Sequence, residues 1–152
     1  MKKLFVLLFL LVLTVGCSSD KSDEVKSFEC SRKATVSSNV KTDLQYKVFY
    51  KNDYVTKVES VEKIISDDED TLDIYKSTVE AFYEPYTKIK YYDVDVSIKG
   101  DTLTSKATID YEKIDTDKLI EIDSANGSII NDGKVKVSDI KKMYAQVGAK
   151  CE

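Results

Sequence analysis

The chain of 152 residues predicts a single α+β domain, in which an antiparallel sheet of about five strands has one face covered by two or three helices. Two patterns predict this class. In several stretches apolar residues alternate with polar ones, which is the period of a half-buried strand, and elsewhere they recur every three or four positions, which is the period of an amphipathic helix. The order is three strands, one helix, two strands and one or two helices, so hairpins build the sheet.

The first three strands are expected between residues 28 and 65. In the first strand the alternating positions are Phe28, Cys30, Ala34 and Val36, with Arg32 interrupting the apolar series. In the second strand they are Leu44, Tyr46, Val48 and Tyr50. A turn at residues 51–53 leads into a third strand over residues 54–65, where a bulge would account for a change of register.

From Asp70 the apolar period changes to that of a helix. The apolar stripe consists of Leu72, Tyr75, Val79, Phe82 and Tyr86. Asp70 is the expected N-cap, because a short carboxylate at that position accepts a hydrogen bond from a free backbone N–H. Pro85 cannot continue a helix, so we expect this one to end near Glu84.

Strand-like alternation returns in residues 89–99 and 102–111, joined by a tight turn at residues 100–101. Asp93 and Asp95 stand two apart on the first of these strands and therefore point to the same face. Two carboxylates so placed can serve acid and base catalysis, but the same alternation makes this face the solvated side of the sheet. We therefore expect surface residues here rather than catalytic ones.

The C-terminal part of the domain is predicted to be helical. Residues 115–122 suit a short helix, and residues 124–133 suit a loop. Ser138 is the expected cap of a last helix, which Gly148 ends. Residues 27–152 together form one domain.

The N-terminal segment is expected to be a targeting signal. Lys2 and Lys3 precede the uncharged residues 4–15, a run shorter than the roughly 20 residues that a transmembrane helix requires. A small residue then stands before Cys17, and this junction resembles the lipobox of bacterial lipoproteins. In such signals residues 1–16 would be removed and the cysteine sulfur would carry a diacylglyceryl group. The alternatives are an ordinary cleaved signal with a coincidental cysteine and an uncleaved anchor.

Lipidation would hold the domain at the extracytoplasmic face of the cell membrane. Residues 17–26 are almost entirely polar, which suits a tether between the lipid and the folded domain. The processed chain of 136 residues would carry 21 basic and 27 acidic side chains. This acidic balance argues against nucleic acid as a partner and makes the lipid, not surface charge, the means of membrane attachment. A protein, peptide or glycan partner is left open.

Composition excludes several classes of enzyme. The chain has no His, so it has neither a Ser/His or Cys/His catalytic pair nor an imidazole metal ligand. Its five glycines lack the spacing of a P-loop or a dinucleotide-binding motif, and we expect no cofactor. The acidic run at residues 67–70, with Asp73 one turn later, offers oxygen ligands of the kind that calcium prefers. The positive end of a helix favours the same carboxylates, so we expect no metal site.

Five features of the chain together carry a resemblance: the signal and lipobox, the turn at residues 50–55, the tyrosine-rich helix, the stretch 107–115 and the end at residues 148–151. In these features the chain resembles the YehR-like family of small bacterial lipoproteins. The resemblance covers most of the processed chain and implies an α+β fold. The family is a domain of unknown function, so it implies no catalytic residues.

Ten tyrosines with no tryptophan are the most distinctive part of the composition. A tyrosine combines a flat apolar ring with a polar hydroxyl, which suits stacking on a sugar or a peptide. The candidates for such a binding surface are Tyr46, Tyr50, Tyr54, Tyr91 and Tyr92. The alternative is that these tyrosines form the half-buried edge of the core.

Export would take the domain out of the reducing cytosol, and after acylation of Cys17 two cysteines remain, Cys30 and Cys151. We expect a disulfide between them, which would tie the C-terminal end of the chain to its first strand. The alternatives are a buried free Cys30 beside a frayed Cys151, or a redox-active pair.

These observations predict a noncatalytic binding or envelope-associated module that acyl chains anchor at the membrane. The processed chain is too small for a two-lobed transport receptor. The alternative is a small carboxylate-dependent enzyme that acts on cell-envelope polymer. Perturbed carboxylates converging in a concave site would favour the enzyme, and a broad exposed tyrosine surface would favour the binding module.

Overall fold

The computed structural model describes residues 24–152. The predicted signal peptide, Cys17 and most of the predicted tether lie outside this range. The strands are β1 (Lys26–Ser37), β2 (Val40–Lys51), β3 (Tyr54–Ile65), β4 (Tyr92–Lys99), β5 (Thr102–Asp110), β6 (Ile130–Asn131), β7 (Lys134–Val135) and β8 (Lys150–Cys151). The helices are α1 (Glu69–Tyr83), α2 (Thr116–Ile122) and α3 (Val137–Gln146), with short 3₁₀ turns at Tyr86–Lys88 and Ser124–Ser128.

The predicted fold class is confirmed. Six antiparallel strands form one sheet in the order β4, β5, β3, β2, β1, β8, and β6 pairs with β7 in a separate small hairpin. The prediction of about five strands missed β8, because two residues are too few to show a period. Strands β1, β2 and β3 form two consecutive hairpins, and β4 and β5 form a third hairpin after α1. This is the order that the sequence predicts.

The core lies between the sheet and the helices. α1 packs on β4 and β5, and α3 packs at the other edge of the sheet beside β8. The core-facing positions of the central strands are occupied by Val48, Val58, Leu103 and Ala107, all buried. From α3 and the preceding hairpin, Ile140 and Val135 complete the same layer.

The β2–β3 hairpin contains the expected turn and the expected bulge. Asn52 and Asp53 both have positive φ, 50° and 67°, which gives the twist that a two-residue hairpin turn requires. Next to the turn, Tyr50 pairs with Val55 but Phe49 pairs with Lys57, so Thr56 is the extra residue of a bulge. The backbone oxygen of Thr56 still has a hydrogen-bond partner, because it accepts from Tyr111 N at 2.8 Å.

Several predicted boundaries were wrong by a few residues. Asp68, not Asp70, is the N-cap of α1, and its Oδ1 accepts from Asp70 N at 3.1 Å. Ser138 lies inside α3, whose N-cap is Lys136. The predicted loop at residues 124–133 contains a 3₁₀ turn and the strand β6. Strand β4 begins at Tyr92 rather than at residue 89.

Candidate functional site

A disulfide joins Cys30 to Cys151, the pairing that the sequence predicts, with the two Cα atoms 3.9 Å apart. The two cysteines face each other across β1 and β8. Their neighbours Glu29 and Glu152 exchange both backbone hydrogen bonds, at 2.9 and 3.2 Å, so the cysteines occupy the close, non-hydrogen-bonded type of antiparallel pair. The bond fixes the last strand at the edge of the sheet.

The five candidate tyrosines do not form one exposed surface. Tyr46 lies on the helix-covered face and stacks on Tyr144, with ring centroids 4.3 Å apart. Tyr50 packs beside Phe28 at 5.9 Å, and Tyr92 stacks on Tyr86 at 5.0 Å. Half-buried packing at the core edge, the alternative to a binding surface, therefore describes these three residues.

The other two candidates differ in burial, since Tyr91 packs against the core and Tyr54 does not. Tyr54 is 38% exposed, and the ammonium of Lys134 lies 5.3 Å from the centre of its ring. Tyr91 is half-buried and has a φ of 72°, with the ammonium of Lys90 4.7 Å from its ring. Each of these rings is covered on one side by a lysine rather than presented beside another tyrosine.

The buried tyrosines surround one carboxylate on the central strand. Tyr46 donates a hydrogen bond from its hydroxyl to Glu62 Oε1 at 3.0 Å. Burial is the main cause that raises the pKa of Tyr46, Tyr83 and Tyr144, and the negative charge of Glu62 adds to the rise in each. This cluster was not predicted from the sequence, although Tyr46 shares its strand parity with the buried Val48.

The acidic run before α1 serves the helix. Asp68 caps it, and the second carboxylate oxygen of Asp68 accepts from the Thr71 hydroxyl at 2.7 Å. This hydrogen bond is the main reason why the pKa of Asp68 lies below its usual value. Within residues 24–152 no group of three or more His, Cys, Asp or Glu side chains is arranged to hold a metal ion.

The opposite face of the sheet is not covered by any helix of the described chain. On β4 the residues alternate between half-buried and exposed, and Asp93 and Asp95 are both exposed on this face. The expectation that these aspartates lie on the solvated side therefore fits their position. The strand register brings charged residues of five strands onto the same uncovered face.

A concavity of about 810 Å³ lies on β1, β2, β3 and the β8 edge. Its charged and polar lining residues are Glu29, Ser31, Arg32, Lys33, Asp43, Gln45, Tyr46, Lys47, Glu59, Lys150 and Glu152. Val61, Cys30 and Gly148 complete the lining. The volume is in the range of small-molecule sites, but such sites are mostly apolar. The lining here suits a charged partner better than an apolar one.

Opposite charges are paired along this face. Lys33 lies 3.2 Å from Asp43, and Lys47 lies 3.6 Å from Glu29. Lys57 contacts Glu59 at 2.6 Å, and its ammonium also lies 4.2 Å from the centre of the Phe49 ring. Three carboxylates of the concavity, those of Glu29, Asp43 and Glu59, thus have lysine partners, whereas Glu152 forms no ion pair within residues 24–152. The first two pairs cross between strands, and the third lies along β3. These lysines were not predicted as site residues, although their alternation along β2 and β3 is visible in the sequence.

No helix among residues 24–152 has the length and apolar character needed to span a membrane.

The sequence matches no protein-family model and no curated protein. Two solved structures are similar to it. The NMR structure of the Escherichia coli YehR protein is 22% identical, with a TM-score of 0.62, and the match covers 86% of this chain and 92% of that one. The NMR structure of a protein from Streptococcus pneumoniae TIGR4 is 12% identical, with a TM-score of 0.55, over 100% and 97% of the two chains. At these identities the similarity concerns the fold, and the chain has a YehR-like fold.

Proposed function

We propose that this protein is an acyl-anchored bacterial surface lipoprotein whose folded domain is a noncatalytic binding or envelope-associated module. The anchor is the lipid on Cys17, and the domain stands on the extracytoplasmic face of the membrane. The observation that carries the binding role is the uncovered sheet face with its charged concavity of about 810 Å³.

The anchor is supported by the order of segments along the chain. The lipobox-like junction at Cys17 is followed by eight residues before β1 begins at Lys26, so Lys26 stands nine positions after Cys17. A fully extended segment of that length reaches about 30 Å, enough to lift the domain clear of lipid headgroups. The tether enters the sheet at the start of β1, so this end of the domain lies nearest the membrane.

The binding role is supported over the enzyme by the partners of the carboxylates. Of the four carboxylate side chains that line the concavity, three contact a lysine, and Glu152 is the one without an ion pair in the described chain. Glu62 is tied to a tyrosine of the packed core rather than directed into the concavity. A general acid or base needs a carboxylate free to meet a substrate. These contacts instead suit complementarity to a charged partner.

The anchor is tested by the mature N-terminus. Mass spectrometry of the protein from the membrane fraction should find Cys17 as the first residue with an acyl mass. Cys17→Ser should leave an unprocessed precursor. A mature N-terminus at another residue, without acyl mass, would contradict the anchor.

The binding face is tested by cosedimentation of residues 24–152 with isolated cell-envelope fragments. Val61→Glu adds bulk and charge within the concavity and should remove most of the bound protein. Ile74→Glu, at a 68% exposed position on α1, is the matched control and should bind like the unchanged domain. Equal binding by both variants would contradict the assignment of the face. Release of soluble polymer fragments by the unchanged domain would instead support the enzyme.

A further inference from the structure

One end of the uncovered sheet face is rich in lysine. Its members, here called the lysine patch, are Lys33 on β1, Lys41 on β2, Lys63 on β3, Lys106 on β5 and Lys99 on β4. The register places them within three neighbouring cross-strand rows at the end of the sheet that holds the β4–β5 turn. A second concavity, of about 280 Å³, lies in the patch beside Lys33 and Lys41.

Most of these charges are not neutralised within the described chain. Lys33 pairs with Asp43, whereas Lys41, Lys63, Lys99 and Lys106 form no ion pair within residues 24–152. Within the three rows the carboxylates are Asp43 and Asp95, the latter opposite Lys106. Asp101 and the acidic run at residues 67–70 lie just beyond the end row, where Ser66 N donates to the Asp101 oxygen at 2.9 Å. Inside the rows five lysines stand against two aspartates, on a protein whose net charge is −4.

The residue types in the patch indicate what it can recognise. Lysine binds phosphate as a point charge, without the bidentate geometry of arginine, and the chain's single arginine, Arg32, has the strand parity of the opposite face. The patch contains no aromatic ring on which a base could stack. Thr104 stands among the lysines and adds a hydroxyl, whereas the hydroxyl of Thr102 donates to Asp101 Oδ1 at 2.8 Å. This chemistry suits repeated phosphates rather than nucleobases.

The position of the patch argues against lipid headgroups. The tether enters at Lys26, which pairs with Tyr50, whereas Lys33 and Lys41 lie toward the other end of the same strand pair. Seven residues of strand separate Lys26 from Lys33, or about 23 Å at 3.3 Å per residue. The lysine patch therefore lies at the end of the sheet opposite the point where the tether is attached.

We propose that the lysine patch binds a linear polymer of phosphodiester-linked polyol units, a polyanion without bases. Neighbouring strands lie about 4.8 Å apart, so lysines on different strands offer charges roughly 5 to 15 Å apart to successive phosphates. This inference rests on the proposed function, because it names the ligand of the same uncovered face.

The test is titration of residues 24–152 with a short synthetic poly(glycerol phosphate) over a range of salt concentrations. If about four lysines neutralise phosphates, log K should fall with log salt at a slope of about −3, and affinity should fall roughly 50-fold over a fourfold rise in salt. Lys63→Gln with Lys106→Gln should halve that slope. Lys33→Gln with Lys41→Gln, a second double variant on other strands, should also halve the slope.

The matched control is Lys118→Gln with Lys142→Gln, which removes the same charge from the exposed helical side and should bind like the unchanged domain. Equal loss in this control, or none in the patch variants, would overturn the proposal. Tighter binding to single-stranded DNA, or to anionic vesicles through the same lysines, would also overturn it. If the polymer does not bind but Val61→Glu still abolishes envelope binding, the ligand is wrong and the proposed function stands.

Discussion

At the scale of single residues, two side chains of β1, Cys30 and Arg32, contact the C-terminal segment of the chain. Arg32 interrupts the apolar series of β1, and its side chain donates from Nη1 to the oxygen of Val147 at 2.8 Å. It thereby satisfies a carbonyl at the end of α3 that has no partner within the helix. Cys30, two residues earlier and 1% exposed, holds Cys151 by the disulfide. Two neighbouring side chains on one face of β1 thus secure the whole C-terminal segment.

The disulfide should contribute a large part of the domain's stability. The bond links residues 121 positions apart, and the chain-entropy model gives about 4 to 5 kcal/mol for a loop of this order. Replacement of both cysteines by alanine should lower the free energy of unfolding by up to that amount, as measured by urea denaturation. Reduction of the unchanged domain should have a similar effect. A loss below about 1 kcal/mol would mean that the reduced chain retains the same constraint in its unfolded state.

At the scale of elements, the end of α3 depends on backbone conformation. Gly148 has a φ of 80°, and its N–H bonds to the oxygen of Ala145 at 3.0 Å. This left-handed residue turns the chain from α3 into β8 and brings Ala149 into the core. A side chain at position 148 would meet no severe clash, because a Cβ atom there would lie 3.5 Å from its nearest neighbour, Arg32 Nε.

Gly148→Ala should therefore destabilise the domain through conformation rather than contact. The expected cost is about 1 to 2 kcal/mol in the free energy of unfolding, the penalty of a left-handed conformation for a residue with a Cβ atom. Gly127→Ala is the matched control, because Gly127 does not have a positive φ and its added Cβ would lie at an ordinary 3.6 Å from Ile120. Thermal unfolding of both variants decides the matter. Equal destabilisation would contradict the conformational explanation.

The elements differ in how far the sequence could predict them. Strands β1 to β5 run for eight to twelve residues, long enough for a period of two to appear. The predicted N-cap of α1, Asp70, lies two residues after the observed N-cap, Asp68. The two residues are chemically equivalent candidates, and only the backbone conformation decides between them. The Glu62 cluster depends on how the helices pack on the sheet, because Tyr83 lies on α1 and Tyr144 lies on α3. Periodicity along one strand does not contain that information.

At the scale of the whole molecule, the two faces of the sheet have different chemistry. The helix-covered face carries the aromatic core and Glu62, to which Tyr46 donates a hydrogen bond. The uncovered face carries lysines and carboxylates that alternate from strand to strand. Parity along β2 separates the two sets, since Tyr46 and Val48 face the core while Lys47 and Phe49 face outward. Three of the five tyrosines that suggested a binding surface, Tyr46, Tyr50 and Tyr92, therefore pack at the edge of the core. The charged face is the surface that we propose for binding a partner.

Because many tyrosines are buried on the helix-covered face, we expect the domain to lose stability at alkaline pH. Burial raises the pKa of six phenols, those of Tyr46, Tyr83, Tyr86, Tyr92, Tyr111 and Tyr144. For Tyr111 the pKa rises to about 12. When the pKa of a phenol is higher in the folded state than in the unfolded state, the folded state favours the protonated phenol. The contribution of that phenol to stability is complete below the unfolded pKa of about 10. The contribution is lost as the pH rises from there toward the folded pKa.

We therefore expect the free energy of unfolding to fall steeply above about pH 10. A fully buried phenol contributes a loss of up to about 1.4 kcal/mol per pH unit, and Tyr46, which is partly exposed to screening solvent, contributes less. Near-ultraviolet absorbance should show these phenols ionising together with the loss of the far-ultraviolet circular dichroism of the fold. Tyr144→Phe should make the fall shallower by about one phenol's share. Ionisation of all ten tyrosines with the fold intact would mean that the rings around Glu62 are accessible to solvent, and the assignment of that face as a closed core would fail.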